Sequence, residues 1–120
     1  MAIRNYRDLI AWQRAMDLAE QVYAATKLFP PDERCVLTAQ MRRSAVSVPS
    51  NIAEGQGLRS DGGFSRHLSI ARGSLCELET QLLLSARLGY IDYAESERLA
   101  ALASEVGKLI AGLSHAVSLP

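Results

Sequence analysis

The chain has 120 residues and a mass of 13.1 kDa; 48% of its residues are hydrophobic and 22% charged, and thirteen basic side chains balance thirteen acidic ones to a formal net charge of zero. A chain of this length fits one domain over residues 1–120, and it buries roughly two thirds of its unfolded surface, so it needs neither a disulfide nor a metal to fold. There is no run of about 18 apolar residues to span a membrane, no charged-then-apolar signal segment and no low-complexity tail, so the expectation is a soluble, cytoplasmic protein with no membrane partner.

Leu9, Trp12, Met16, Ala19 and Tyr23 recur at intervals of three and four. This spacing predicts an apolar stripe on a first helix from about residue 7 to 28, capped by Asn5. Pro30 and Pro31 stop that helix, and Pro31 followed by Asp32 and Glu33 has the chemistry of a second helix start. The second helix turns Leu37, Met41, Ala45, Val48 and Ile52 inward. Gln40, Ser44, Ser47, Asn51 and Glu54 form a polar stripe beside them if the helix runs through Pro49, whose missing N–H removes the bond to Ala45 and bends the axis. Ile52 extends the core stripe from Val48 without a phase break, which favours a continuous helix over a stop near Val48. A polar stripe of small residues suits a subunit contact or a wet channel.

Gly55, Gln56, Gly57 and the Ser60-Asp61-Gly62-Gly63 cluster mark the next break. The third helix has the cleanest register, with Phe64, Leu68, Ala71, Leu75, Leu78, Leu82 and Ser85 facing inward, and ends at Leu88-Gly89. Asp92 with Glu95 reads as a capping box for a fourth helix whose stripe is Leu99, Leu102, Val106, Leu109 and Leu113. Four helices with short connections and no strand pattern predict an all-α, antiparallel up-down four-helix bundle. Leu82, Leu83 and Leu84 together span about 200° of the third helix, more than one core face requires. Leu83 and Leu84 are therefore expected to be oligomer contacts. Gly73, Gly107 and Gly112 inside helices, each costing about 1 kcal/mol relative to Ala, point to self-association as well.

Catalytic chemistry finds no footing. The Glu-x-x-His pairs of a di-iron bundle are missing, and His67 and His115 read as surface or structural histidines. Ser47 and Ser74 have no base and orienting partner at a recognisable spacing. The glycines at 55, 57, 62 and 63 follow no strand, so a phosphate-cradling loop lacks its context. Cys35 and Cys76 belong to no metal spacing and are expected to be reduced core residues. The expectation is no enzyme, no catalytic residue, no metal and no cofactor.

The charge is unevenly placed. Residues 42 to 76 hold Arg42, Arg43, Arg59, Arg66 and Arg72 against Glu54 and Asp61, and residues 77 to 120 carry the compensating acidic excess. Eleven of the thirteen basic residues are arginine, the side chain suited to forked contacts with phosphate or carboxylate. Those five arginines are the candidate nucleic-acid contacts; the competing expectation pairs them with Glu77, Glu79, Glu95 or Glu97 of neighbouring helices or subunits.

Tyr6-Arg7-Asp8-Leu9-Ile10-Ala11-Trp12-Gln13, Phe29-Pro30-Pro31-Asp32-Glu33, Ser47-Val48-Pro49-Ser50-Asn51-Ile52-Ala53-Glu54-Gly55 and Ile70-Ala71-Arg72-Gly73-Ser74-Leu75-Cys76-Glu77-Leu78-Glu79-Thr80-Gln81 closely resemble the bacterial four-helix bundle family of 23S ribosomal RNA intervening-sequence proteins, also labelled ribosomal protein S23. The resemblance covers nearly the whole chain. It implies a four-helix protomer of a cyclic oligomer, a homopentamer, and kinship with the accessory bundle protein of diversity-generating retroelements, which acts with a reverse transcriptase and RNA. It implies no enzymatic activity. Those retroelement relatives are strongly basic and this chain is neutral, with a sequence pI near 6.7. RNA or DNA binding therefore rests on the local arginines, and the alternative is a scaffold that contacts another protein and no nucleic acid.

Overall fold

The computed structural model describes residues 5–118 and contains four long helices, with no strand among the described residues. A 3-10 turn at Tyr6–Asp8 leads into α1, Ile10–Thr26; a second at Pro31–Glu33 precedes α2, Leu37–Gly57; α3 spans Asp61–Arg87 and α4 spans Tyr93–Ser118. Each helix packs on its neighbour in the chain and α1 closes against α4. Ser47 meets Ser74 while Asn51 meets His67, and Arg14 meets Glu105 while Gln21 meets Arg98, so α2 and α3, and α1 and α4, run antiparallel. The bundle measures 47 × 24 × 19 Å.

The ends of the helices follow from side-chain chemistry. Asn5 caps the first 3-10 turn and not α1 itself, accepting from the Arg7 N–H at 2.9 Å. Ser60 caps α3 by accepting from the Gly63 N–H at 3.1 Å. The end of α3 is a Schellman turn: Gly89 adopts φ 78°, its N–H bonds to Ala86 and the Tyr90 N–H to Ser85, which a residue without Cβ does at least cost. Only the forward half of the expected capping box forms on α4. The Asp92 carboxylate accepts from the Glu95 N–H at 2.8 Å, while the Glu95 carboxylate turns to Arg98, whose guanidinium holds it below the usual carboxylate range.

The core is built from Leu18, Val22, Met41, Ala45, Val48, Ile52, Leu68, Leu78, Leu82, Leu99, Val106 and Ile110, all fully buried. The inward stripe expected on α2 is correct at every position, and on α3 only Phe64 is less than buried. On α4, Leu99, Leu102 and Val106 are buried, Leu109 and Leu113 only partly, and Ser96, Ala103 and Ile110 complete the face.

Four expectations need correction. The stripe expected on the first helix is right at Leu9 and Ala19, which are buried, and partly so at Trp12, but Met16 and Tyr23 stay 38% and 41% exposed; the core face is completed by Ala11, Ala15, Leu18 and Val22, about 100° round the helix. Both stripes step by three and four, so spacing alone does not choose between them, and the smaller side chains are the ones turned to the core. Pro31–Glu33 is a separate turn and α2 begins at Leu37, its first N–H reaching the Glu33 carboxylate at 3.4 Å. The break after α2 is shorter than its glycines suggest: Gly55 and Gly57 belong to α2, and Gly62 and Gly63 to the first turn of α3. Cys35 and Cys76 are unpaired as expected, but both are exposed.

Candidate functional site

α2 passes through Pro49 without interruption, so Ser47, Asn51 and Gly55 fall on one side of it at intervals of four. That side faces α3. The Asn51 amide donates to the Ser47 carbonyl at 2.8 Å and to Ser47 Oγ at 3.0 Å, which leaves its Oδ1 to accept from His67 Nδ1 at 2.9 Å. Because Oδ1 can only accept, the proton of a neutral His67 ring sits on Nδ1. Ser47 Oγ pairs across the seam with Ser74 Oγ at 2.8 Å. Below this network a Cβ on Gly55 would stand 2.7 Å from the Cβ of His67 and 3.2 Å from the Phe64 ring. The helices approach so closely there that only glycine fits.

This seam locates much of the polar stripe. Ser44 is buried and donates to the Gln40 carbonyl, Ser47 and Asn51 are half-buried and bonded across to α3, and Gln40 and Glu54 are exposed at the rim. The hydrogen bonds of Ser47 and Asn51 are thus made inside the protomer. Leu83 and Leu84 lie on the outer surface of α3, 61% and 45% exposed.

The five candidate arginines are not equivalent. Arg42 is half-buried: its guanidinium carbon stands 4.6 Å from the centre of the Tyr23 ring, and its Nε donates to Thr26 Oγ1 at 2.9 Å. Arg43, Arg59, Arg66 and Arg72 are exposed, and none of them forms an ion pair among the described residues. Arg59 stands in the left-handed region, φ 55°, at the turn between α2 and α3. Of the carboxylates expected to pair with them, Glu95 holds Arg98 and Glu77 accepts from the Gln81 amide at 3.4 Å.

A groove along α1 and α2 was not foreseen as a site. Its apolar part, about 590 Å³, lies between Trp12, Met16 and Tyr23 on α1 and Val46, Pro49 and Ala53 on α2. Through Tyr23 and Val46 it continues into a depression of about 510 Å³ lined by Arg34, Arg42 and Arg43. Through Arg34, Thr38 and Arg42 it reaches a third of about 310 Å³ that adds Lys27. Among the described lining residues Glu20 is the one carboxylate. The sequence carried the signal in a hidden form. In an antiparallel α1–α2 hairpin, a turn centred near residue 34 folds Lys27 back to the level of Arg42. Among the described residues no group of three His, Cys, Asp or Glu is placed to hold a metal ion, and no described helix is long and apolar enough to cross a membrane.

The model of one protein family matches residues 7–112, which hold α1 to α3, α4 as far as Gly112 and the whole polar seam. The chain belongs to the 23S rRNA-intervening sequence protein family. The fold of this intervening-sequence protein is similar to a crystal structure from Bacteroides thetaiotaomicron described as a protein of unknown function from the S23 ribosomal protein family, with TM-score 0.82, 24% identity, and coverage of 88% of this chain and 96% of that one. No curated protein matches the sequence. Within the family segment, the motif residues Ser47, Asn51, Gly55 and Ser74 are the ones that join α2 to α3, so those positions of the motif have a structural account independent of any ligand.

Proposed function

We propose that this protein is a non-catalytic, cytoplasmic bundle that assembles into a closed homo-oligomer, a pentamer, and binds RNA through an arginine-bearing surface. The observation that carries the RNA reading is the state of Arg43, Arg59, Arg66 and Arg72: exposed, and without an ion pair among the described residues, whereas Arg14 and Arg98 are held by carboxylates. A free guanidinium keeps its full charge and its fork for phosphate. A ring of protomers multiplies each contact, so weak sites sum. The apolar excess on the outer face of α3, Leu83 and Leu84, supports the assembly.

A second reading, a scaffold that contacts a protein and no nucleic acid, draws on the same exposed leucines and on the apolar part of the α1–α2 groove. One titration separates the two. Labelled structured RNA is followed by fluorescence anisotropy at about 50 mM salt, where screening is weak, with the parent and with Arg43, Arg59, Arg66 and Arg72 all changed to Glu. The expected result is micromolar binding by the parent and a loss of at least a hundredfold in the variant at unchanged oligomeric mass. Arg42 is left alone because it is stacked on Tyr23. Absence of binding by the parent gives the scaffold reading the lead.

A further inference from the structure

The α1–α2 groove joins two surfaces of different chemistry. One end is a row of apolar and aromatic side chains, Trp12, Met16 and Tyr23 facing Val46 and Pro49. The other end gathers Lys27, Arg34, Arg42 and Arg43. Among the described residues no carboxylate lines that basic end; the one lining the groove, Glu20, belongs to the apolar part, and Glu33, next to Arg34 in sequence, accepts from the Tyr90 hydroxyl at 2.8 Å and from the Leu37 N–H. Tyr23 belongs to both ends, and Arg42 is fixed against it by the ring and by Thr26.

We propose that this groove is the site for unpaired RNA, with phosphates at Lys27, Arg34, Arg42 and Arg43 and bases laid over Tyr23 toward Trp12. The inference rests on the RNA reading above and names the form of RNA and its place. Charge complementarity selects a polyanion for the basic end. The apolar floor then selects one whose flat apolar faces are free, and in a duplex those faces are stacked on each other and out of reach. A positively charged track beside an aromatic platform is the general chemistry of single-strand binding. The distance also fits: Trp12 and Tyr23 lie eleven residues apart on one helix, about 16 Å, so the aromatic row runs alongside several nucleotides. Arg42 is a positioning residue as well as a phosphate contact, since its stacking holds the Tyr23 ring in place.

The test compares affinity for an unpaired uridine 12-mer with that for an RNA duplex of the same length, by anisotropy on the full chain. The parent is expected to prefer the single strand by at least tenfold. Lys27→Glu with Arg34→Glu, both exposed positions, is expected to bring the ratio near one, and Tyr23→Leu, which keeps the surface apolar, is expected to do so too. Arg59→Glu with Arg66→Glu and Arg72→Glu is expected to weaken both ligands by a similar factor and leave the ratio intact. RNA binding by the parent without strand preference, or a preference untouched by the Lys27 and Arg34 changes, overturns this site while leaving the RNA function standing. No binding to either ligand overturns both. A change of oligomeric mass in Tyr23→Leu overturns the site as well, because the groove is then covered by another copy of the chain.

Discussion

Gly55 and Gly73 both sit inside helices, and only one of them has a reason there within the protomer. A Cβ at Gly55 meets His67 and Phe64 at 2.7 and 3.2 Å, whereas a Cβ at Gly73 meets nothing within 4 Å. Alanine at either position recovers about 1 kcal/mol of helix propensity. At Gly55 that gain is opposed by separation of α2 from α3, a small-to-large cost of about 1–3 kcal/mol, and by strain on the His67–Asn51–Ser47 hydrogen bonds. Gly55→Ala is therefore expected to lower the melting temperature and Gly73→Ala to raise it by a few degrees. Thermal denaturation of the two variants checks this, and a shift in the same direction for both contradicts it. The residue scale is also where sequence reading was least complete. Ser47 and Asn51 were legible as a stripe beside the core, but spacing on one helix does not say which neighbour that stripe meets. Free cysteine is usually buried, yet Cys35 and Cys76 are exposed, because each lies outside the inward register of its segment. Arg42 and Arg43 are adjacent in sequence and differ in role because only Arg42 lies on the side of α2 toward Tyr23.

At the scale of elements, the four helices, the passage of α2 through Pro49, the core registers of α2 and α3 and the stop at Gly89 were all readable, because periodicity and cap chemistry are local. The register of α1 was not, since it carries two apolar stripes and the choice between them depends on the space its neighbours leave. The joints between elements were also hidden. The principal one ties the α3–α4 turn to the turn before α2: the Tyr90 hydroxyl donates to Glu33, and the Tyr90 ring lies 5.4 Å from Phe29. The hydrogen bond to the Glu33 carboxylate raises the Tyr90 pKa above the ordinary tyrosine value, with desolvation and the charges of Glu33 and Asp32 acting in the same direction. The bond needs the protonated hydroxyl, so its contribution to stability is complete below about pH 10, the unfolded tyrosine value, and is lost as pH rises through the higher folded value. Glu33→Gln, whose neutral amide is a weaker acceptor, is expected to bring the Tyr90 ionisation down toward the ordinary value in an ultraviolet pH titration. An unchanged titration curve contradicts the joint.

At the scale of the whole molecule, the outer face of α3 leaves Leu83 and Leu84 exposed with no cover inside the protomer. An apolar patch that meets a different surface of the next copy, away from the α1–α2 groove, builds a head-to-tail ring, which closes when the rotation between copies allows it. Sedimentation equilibrium at micromolar concentration is expected to give a mass near five times 13.1 kDa, with Leu83→Glu and Leu84→Glu together shifting it toward the monomer. A monomeric parent contradicts self-association, and a stable dimer removes the pentamer alone. The bundle was legible from sequence because packing is periodic; the groove proposed to bind RNA was not, because Lys27 and Arg34 come beside Arg42 only when α1 and α2 fold back on each other. The most direct measurement of the proposed function is the salt dependence of RNA affinity for the unmodified protein. Each neutralised phosphate on a single strand contributes about −0.7 to the slope of log affinity against log salt. Contacts from Lys27, Arg34, Arg42 and Arg43 together give an expected slope steeper than about −2 on that scale. A slope near zero, or no binding at about 50 mM salt where screening is weak, contradicts an RNA-binding role for these side chains.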